Sequence, residues 1–213
     1  MNIQEKEQLA AIQDMRDMME KSTKFLSLSG LAGILVGTMA MIAGAIVYWV
    51  LDMPITHVNY LEYILPFDDY GHSKQIQYLI LDAVIVFVLA FIIGVIFAKK
   101  NAAKRGLSIW DATSRRLLYN MFLPVLFGAV FIFSLMYHRQ LQLILPVMLT
   151  FYGLALFNAS KYAFDEIRIL GLLDILLGLV ASFWVEGGLI LWMIGFGILH
   201  IVYGSIIYSK YEK

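Results

Sequence analysis

Phe25-Leu-Ser-Leu-Ser-Gly-Leu-Ala-Gly-Ile-Leu-Val-Gly-Thr-Met-Ala-Met-Ile-Ala-Gly-Ala-Ile-Val-Tyr-Trp-Val-Leu51 runs for 27 residues without an Asp, Glu, Lys or Arg. An α-helix needs about 20 consecutive apolar residues to cross the hydrocarbon core of a bilayer, so this run is long enough to span. Twenty-four largely polar residues precede it. It lies too far in, and is too long, for the apolar core of a signal peptide.

Five further runs follow, at 75–98, 117–138, 140–160, 169–185 and 187–209. Only two carboxylates fall inside them, Asp82 in the second span and Asp174 in the fifth; the other four spans carry no charge. The 213-residue chain is 61% apolar and 15% charged, with a mean hydropathy of +0.76. A soluble domain is about 45–50% apolar and about 25% charged, so that class is excluded. Period-2 alternation is missing, which excludes a transmembrane β-barrel. The expected fold is therefore all-α, a polytopic membrane protein. Residues 25–209 form six transmembrane helices in three antiparallel hairpins, flanked by a cytoplasmic amphipathic helix at 1–24 and a tail at 210–213. His138-Arg139 alone separates the third and fourth spans, and Glu186-Gly187-Gly188 the fifth and sixth, which predicts tight turns there.

Charge sets the orientation. Fourteen of the 16 Lys and Arg residues fall on one side of this topology, leaving Lys74 and Arg139 on the other, so both termini are expected in the cytoplasm. Trp49, Trp184 and Trp192 fall near the outer boundary and Trp110 near the inner one, as interfacial anchors do. The segment 1–24 sets Leu9, Ile12, Met15 and Met19 opposite an acidic face, a stripe suited to the bundle or to a cytoplasmic protein partner. The 99–116 loop has the basic excess that anionic headgroups require. Within it, Ser108 and Asp111 read as the start of a short interfacial helix carrying Trp110.

Sixteen acidic residues balance the basic ones, so nothing points to nucleic acid. No cysteine is present, which removes thiolate metal sites, iron–sulfur clusters and cysteine nucleophiles. One deep histidine is too few for a bis-His haem. Asp68, Asp69 and His72 could meet a divalent cation, but a solvated loop turning at Gly71 explains them more simply. No metal, cofactor or catalytic residue is therefore assigned.

Asp174 is the carboxylate well inside a span, where a charge costs at least about 2.5–3.5 kcal/mol and needs a partner or water. It shares a stripe with Gly178 and Ser182 and should face the bundle. His200, deep in the sixth span, is flanked by Gly197 and Gly204. The two depths differ by roughly 6 Å at about 1.5 Å per residue, within reach of an Asp–His pair. Asn120 and Asn158 could extend the polar cluster inward. Ser29, Gly33 and Gly37 form a small-residue face in the first span, suited to packing within the chain or to a homodimer contact.

Three stretches, Lys24-Phe-Leu-Ser-Leu-Ser-Gly-Leu-Ala-Gly33, Asn158-Ala-Ser-Lys-Tyr-Ala-Phe-Asp165 and Gly195-Phe-Gly-Ile-Leu-His-Ile-Val-Tyr-Gly204, together resemble an uncharacterised family of small polytopic membrane proteins of the Bacteroidota. The resemblance implies a bacterial inner-membrane location, transfers no catalytic residue, and singles out Asn158, Asp165 and His200. Two functions fit the residues. One is a small transporter or proton-linked solute-binding protein using the Asp174–His200 region. The other is a non-enzymatic regulator or scaffold acting through the N-terminal helix and basic loop. An enzyme acting on lipid is disfavoured, because the deep carboxylate has only one titratable neighbour.

Overall fold

The computed structural model describes residues 29–64, 74–104 and 110–213. All regular structure among them is helical. The amphipathic segment 1–24, Ser108, and the Asp68, Asp69 and His72 group lie outside the described residues.

The helices are α1 (Gly30–Val50), α2 (Leu61–Ile64), α3 (Lys74–Lys104), α4 (Ala112–Tyr137), α5 (Ile144–Ala159), α6 (Glu166–Phe183) and a final run, α7. Helix α7 passes through Gly188–Trp192, Met193–Leu199, His200–Ile207 and Tyr208–Glu212, the second and fourth segments being wound as π-helix. Among the described residues, five helical stretches are long and apolar enough to cross a membrane: Gly30–Val50, Ile76–Lys104, Ala112–Tyr137, Leu141–Tyr162 and Val185–Glu212. Helix α6 has 18 residues but carries Glu166, Arg168 and Asp174.

The helices overrun the charge-free runs at their basic ends. Lys99, Lys100 and Lys104 are helical, as are Arg115 and Arg116. A charge ends the part of a helix that tolerates hydrocarbon, yet it does not interrupt the backbone ladder, and long basic stems can snorkel. The start of α4 also differs from expectation. Asp111 caps it, accepting from the Ser114 amide at 2.7 Å and the Ser114 hydroxyl at 2.6 Å. Those bonds hold the Asp111 carboxyl below the ordinary range. Trp110 stands just outside the helix. The turn between α4 and α5 places Arg139 at φ 57°, a left-handed conformation unusual for a residue with a Cβ.

Two backbone seams organise the bundle. Helices α5 and α6 lie antiparallel with Gly153 facing Gly171: a Cβ on Gly153 would stand 2.6 Å from the Gly171 carbonyl oxygen and 2.7 Å from the Ile175 nitrogen. The second seam joins α1 to α7. A Cβ on Gly37 would stand 2.6 Å from the Gly197 carbonyl oxygen, and one on Gly33 3.0 Å from the Gly204 Cα. Both are antiparallel, and both need glycine because backbone meets backbone. The small-residue face of α1 is thus covered by the same chain's last helix. Helix α4 rests on α5, while α3 leans mainly on α1. Of the three expected hairpins, the α4–α5 pair packs side by side; α6 makes its most extensive contact with α5, and α7 with α1.

One end of the bundle, the basal end, gathers Ser29, Asn101, Glu166 and Glu212. Glu212 accepts from the Gly30 amide at 2.6 Å and from Asn101 at 3.2 Å, so its carboxylate caps the open N-terminus of α1. At the distal end the 51–64 segment packs Leu51, Met53, Tyr60 and Leu61 against Tyr48 and Leu189, and His57 and Asn59 both bond Glu62. Trp49 and Trp184 are exposed, whereas Trp192 is buried against Phe196 and belongs to the core, contrary to its expected anchoring role.

Gly153→Val forces a branched side chain into that seam and is expected to cost about 1–3 kcal/mol or more, read as a lower thermal midpoint in detergent. Gly94→Ala is the control, since its added Cβ meets nothing within 4 Å; it should be neutral or stabilise by up to about 1 kcal/mol through helix propensity.

Candidate functional site

The buried face of α6 is Ile167, Leu170, Gly171, Asp174, Gly178 and Ala181, a helical stripe turned toward the bundle. Asp174 sits in the middle of it with 1% of its surface exposed. Neither carboxylate oxygen has a hydrogen-bond partner. The side chain rests on bare backbone of α7: a Cβ on Gly195 would lie 2.8 Å from Oδ1 of Asp174 and 2.5 Å from Cδ2 of Leu149. Glycine at 195 therefore makes the hollow that the carboxyl occupies.

The hollow lies in the π-wound segment Met193–Leu199. Such widened turns free backbone groups from the regular ladder and recur at functional sites. Here the Gly195 carbonyl contacts Nδ1 of His200 at 2.8 Å. A carbonyl can only accept, so Nδ1 carries the hydrogen, and in a neutral imidazole Nε2 is then the acceptor. Tyr152 of α5 lies 3.0 Å from that Nε2, and its hydroxyl donates to it. Rings brace this arrangement. Phe196 stacks near-parallel on His200, with interplanar angle 13°, and also contacts Tyr152 and Trp192.

The assignment of donors explains the isolation of Asp174. The one hydrogen of the Tyr152 hydroxyl is committed to His200 and is not available to the carboxylate. The expected Asp174–His200 hydrogen bond is not present: Tyr152 is the imidazole's partner. Nε1 of Trp192 and the hydroxyl of Tyr203 are also buried without partners. The asparagines stand apart. Asn120 donates to the Arg116 carbonyl of its own helix at 2.8 Å. Asn158 is half-buried toward the basal end of α5, about 9 Å along the axis from Tyr152. Tyr152 is the residue that sequence reading missed. Its signal was present, since a phenol in mid-span brings a hydroxyl into hydrocarbon and needs a partner much as an imidazole does.

At the basal end Glu166 bonds Lys210 at 2.6 Å and Tyr211 at 3.3 Å. Glu166 thus pairs with the end of α7. Arg168 lies over the Phe157 ring. Comparison with family models, curated proteins and solved structures finds no match, so the site is read from its own residues.

Asp174→Leu replaces the carboxyl with an apolar group of similar volume and should melt at or above the wild-type temperature, because nothing in the fold bonds those oxygens. A loss above about 2 kcal/mol would make Asp174 a structural residue instead. Tyr152→Phe should move the other way, lowering stability by about 1–2 kcal/mol as Nε2 of His200 loses its donor.

Proposed function

We propose that the chain is a six-span protein of the bacterial inner membrane, with both termini cytoplasmic, and that the Asp174–Tyr152–His200 group is the proton-linked site of a small transporter or solute-binding protein. One observation carries the reading: a carboxyl buried in the bundle with both oxygens unbonded. Such a group is costly in hydrocarbon. It is relieved only by something that arrives, a proton or a cationic donor, or by a hydrogen-bond donor turned toward it.

The neighbouring pair can supply that donor. When His200 takes a proton, Nε2 becomes a donor and the Tyr152 oxygen must accept from it. The phenolic hydrogen is then released from its bond to the imidazole and is free to point at the Asp174 carboxylate. Protonation on α7 is thereby felt on α6 through α5, and the π-wound turn supplies backbone able to shift.

The six-span reading is supported by α6 itself. Its 18 residues span about 27 Å, close to the hydrocarbon thickness of about 30 Å. Glu166 and Arg168 sit in its first turn, leaving Asp174 as the one ionisable group deeper in. Six crossings return both termini to the side bearing the excess of Lys and Arg, which is the cytoplasmic side by the positive-inside rule.

Alkaline phosphatase fused after residue 55 should be active, and after residue 104 inactive, while green fluorescent protein after Lys213 should fluoresce. A dark fusion at Lys213 would mean an odd number of crossings. For the site, native mass spectrometry of the protein purified from its own membranes is the direct test, with Asp174→Asn and His200→Ala alongside. A non-lipid mass on the wild type, lost in both variants, is the expected result. Wild type and variants alike in bound mass between about pH 5 and 8, the range in which histidine titrates, would overturn the reading.

A further inference from the structure

Among the described residues, the basal end carries basic side chains that no acid pairs. Three of its acids already have partners: Glu166 bonds Lys210 through Oε1, Glu212 the first turn of α1 and Asn101, and Asp111 Ser114. Arg115 and Arg116 are different. Both are exposed, and neither guanidinium has a hydrogen-bond or ion-pair partner among the described residues. They are the fourth and fifth residues of α4, near its N-terminus, where positive charge opposes the helix dipole. A shallow groove, open to its surroundings and formed by this one face of α4, lies between them, lined also by Ala112, Tyr119 and Asn120.

The groove runs into apolar surface. Tyr119, Phe122, Leu126, Val130 and Phe133 are all exposed, and their spacing puts them on one face of α4, continuing from Arg115. Trp110, 64% exposed just ahead of the helix, marks the level of the membrane interface. Head and tail of the occupant are thus specified together. Two forked guanidiniums suit a phosphate, which they can grip through paired N–H groups. A free anion would use the groove alone, whereas a phospholipid fills the groove with its headgroup and the stripe with its chain.

We propose that this groove binds the headgroup of an anionic phospholipid, its phosphate held by Arg115 and Arg116 and one acyl chain laid along Tyr119, Phe122, Leu126 and Val130. The site is independent of Asp174 and stands whether or not that residue carries a proton-linked function.

The test is native mass spectrometry of the full chain in mild detergent, titrated with phosphatidylglycerol or phosphatidylcholine. Wild type should retain phosphatidylglycerol in preference. Arg115→Gln/Arg116→Gln should bind it about thirtyfold more weakly, the worth of two basic side chains at an anionic surface. Lys99→Gln/Lys100→Gln, at the same end but outside the groove, should bind as wild type does. Arg115→Lys/Arg116→Lys keeps the charge without the fork and should fall between. Equal binding of phosphatidylcholine, equal loss in the Lys99/Lys100 variant, or a fully competent lysine variant would each overturn the proposal. Displacement of the lipid by millimolar inorganic phosphate would assign the groove to free phosphate instead.

Discussion

Apolar helices in hydrocarbon gain nothing by hiding from water, so what joins them is contact at short range. In this chain that contact is backbone on backbone, at Gly153–Gly171 between α5 and α6 and at Gly33 and Gly37 against Gly204 and Gly197 between α1 and α7. Glycine at these positions brings each pair of axes close enough for main-chain atoms to touch. The larger side chains are pushed to the flanks, where Leu149, Leu191 and Trp192 pack together with Ala40, Ala43 and Ala181.

The polar site is a by-product of that closeness. Gly153 seats α5 deep against α6, and the residue before it, Tyr152, turns toward α7 and meets His200. Gly195 leaves a hollow just wide enough for the carboxyl of Asp174. The carboxyl is left without a donor, since the Tyr152 hydrogen is given to the imidazole and the Thr150 hydroxyl to the Pro146 carbonyl.

The two ends of the bundle are built on different chemistry. Distally, aromatic and aliphatic side chains of the 51–64 segment close the structure over Tyr48 and Leu189. Basally, closure is ionic: the carboxylate of Glu212 caps α1, and Lys210 reaches Glu166. Tying the last residues of α7 to the first turns of α1 and α6 fixes the depth of His200 relative to Asp174, since all lie on continuous helices.

Much of the architecture was legible in the sequence. The long uncharged runs declare helices that tolerate hydrocarbon, because transfer energy depends on composition over about 20 residues and hardly on neighbours. Gly33, Gly37, Gly197 and Gly204 could be marked as a packing face, and Asp174 and His200 as polar anomalies, for the same local reason. What the sequence could not decide was partnership. Leu, Ile, Val and Phe are nearly interchangeable against lipid, so nothing in their order says that α6 should lie along α5 more than along α7, or that α7 should cover the small-residue face of α1. Nor could spacing find the bond between Tyr152 and His200, 48 residues apart. Composition alone determined which segments are helical and apolar. Only tertiary packing decided which hydrogen each buried acceptor receives, because a hydrogen bond is settled by tenths of an ångström between helices distant in the chain.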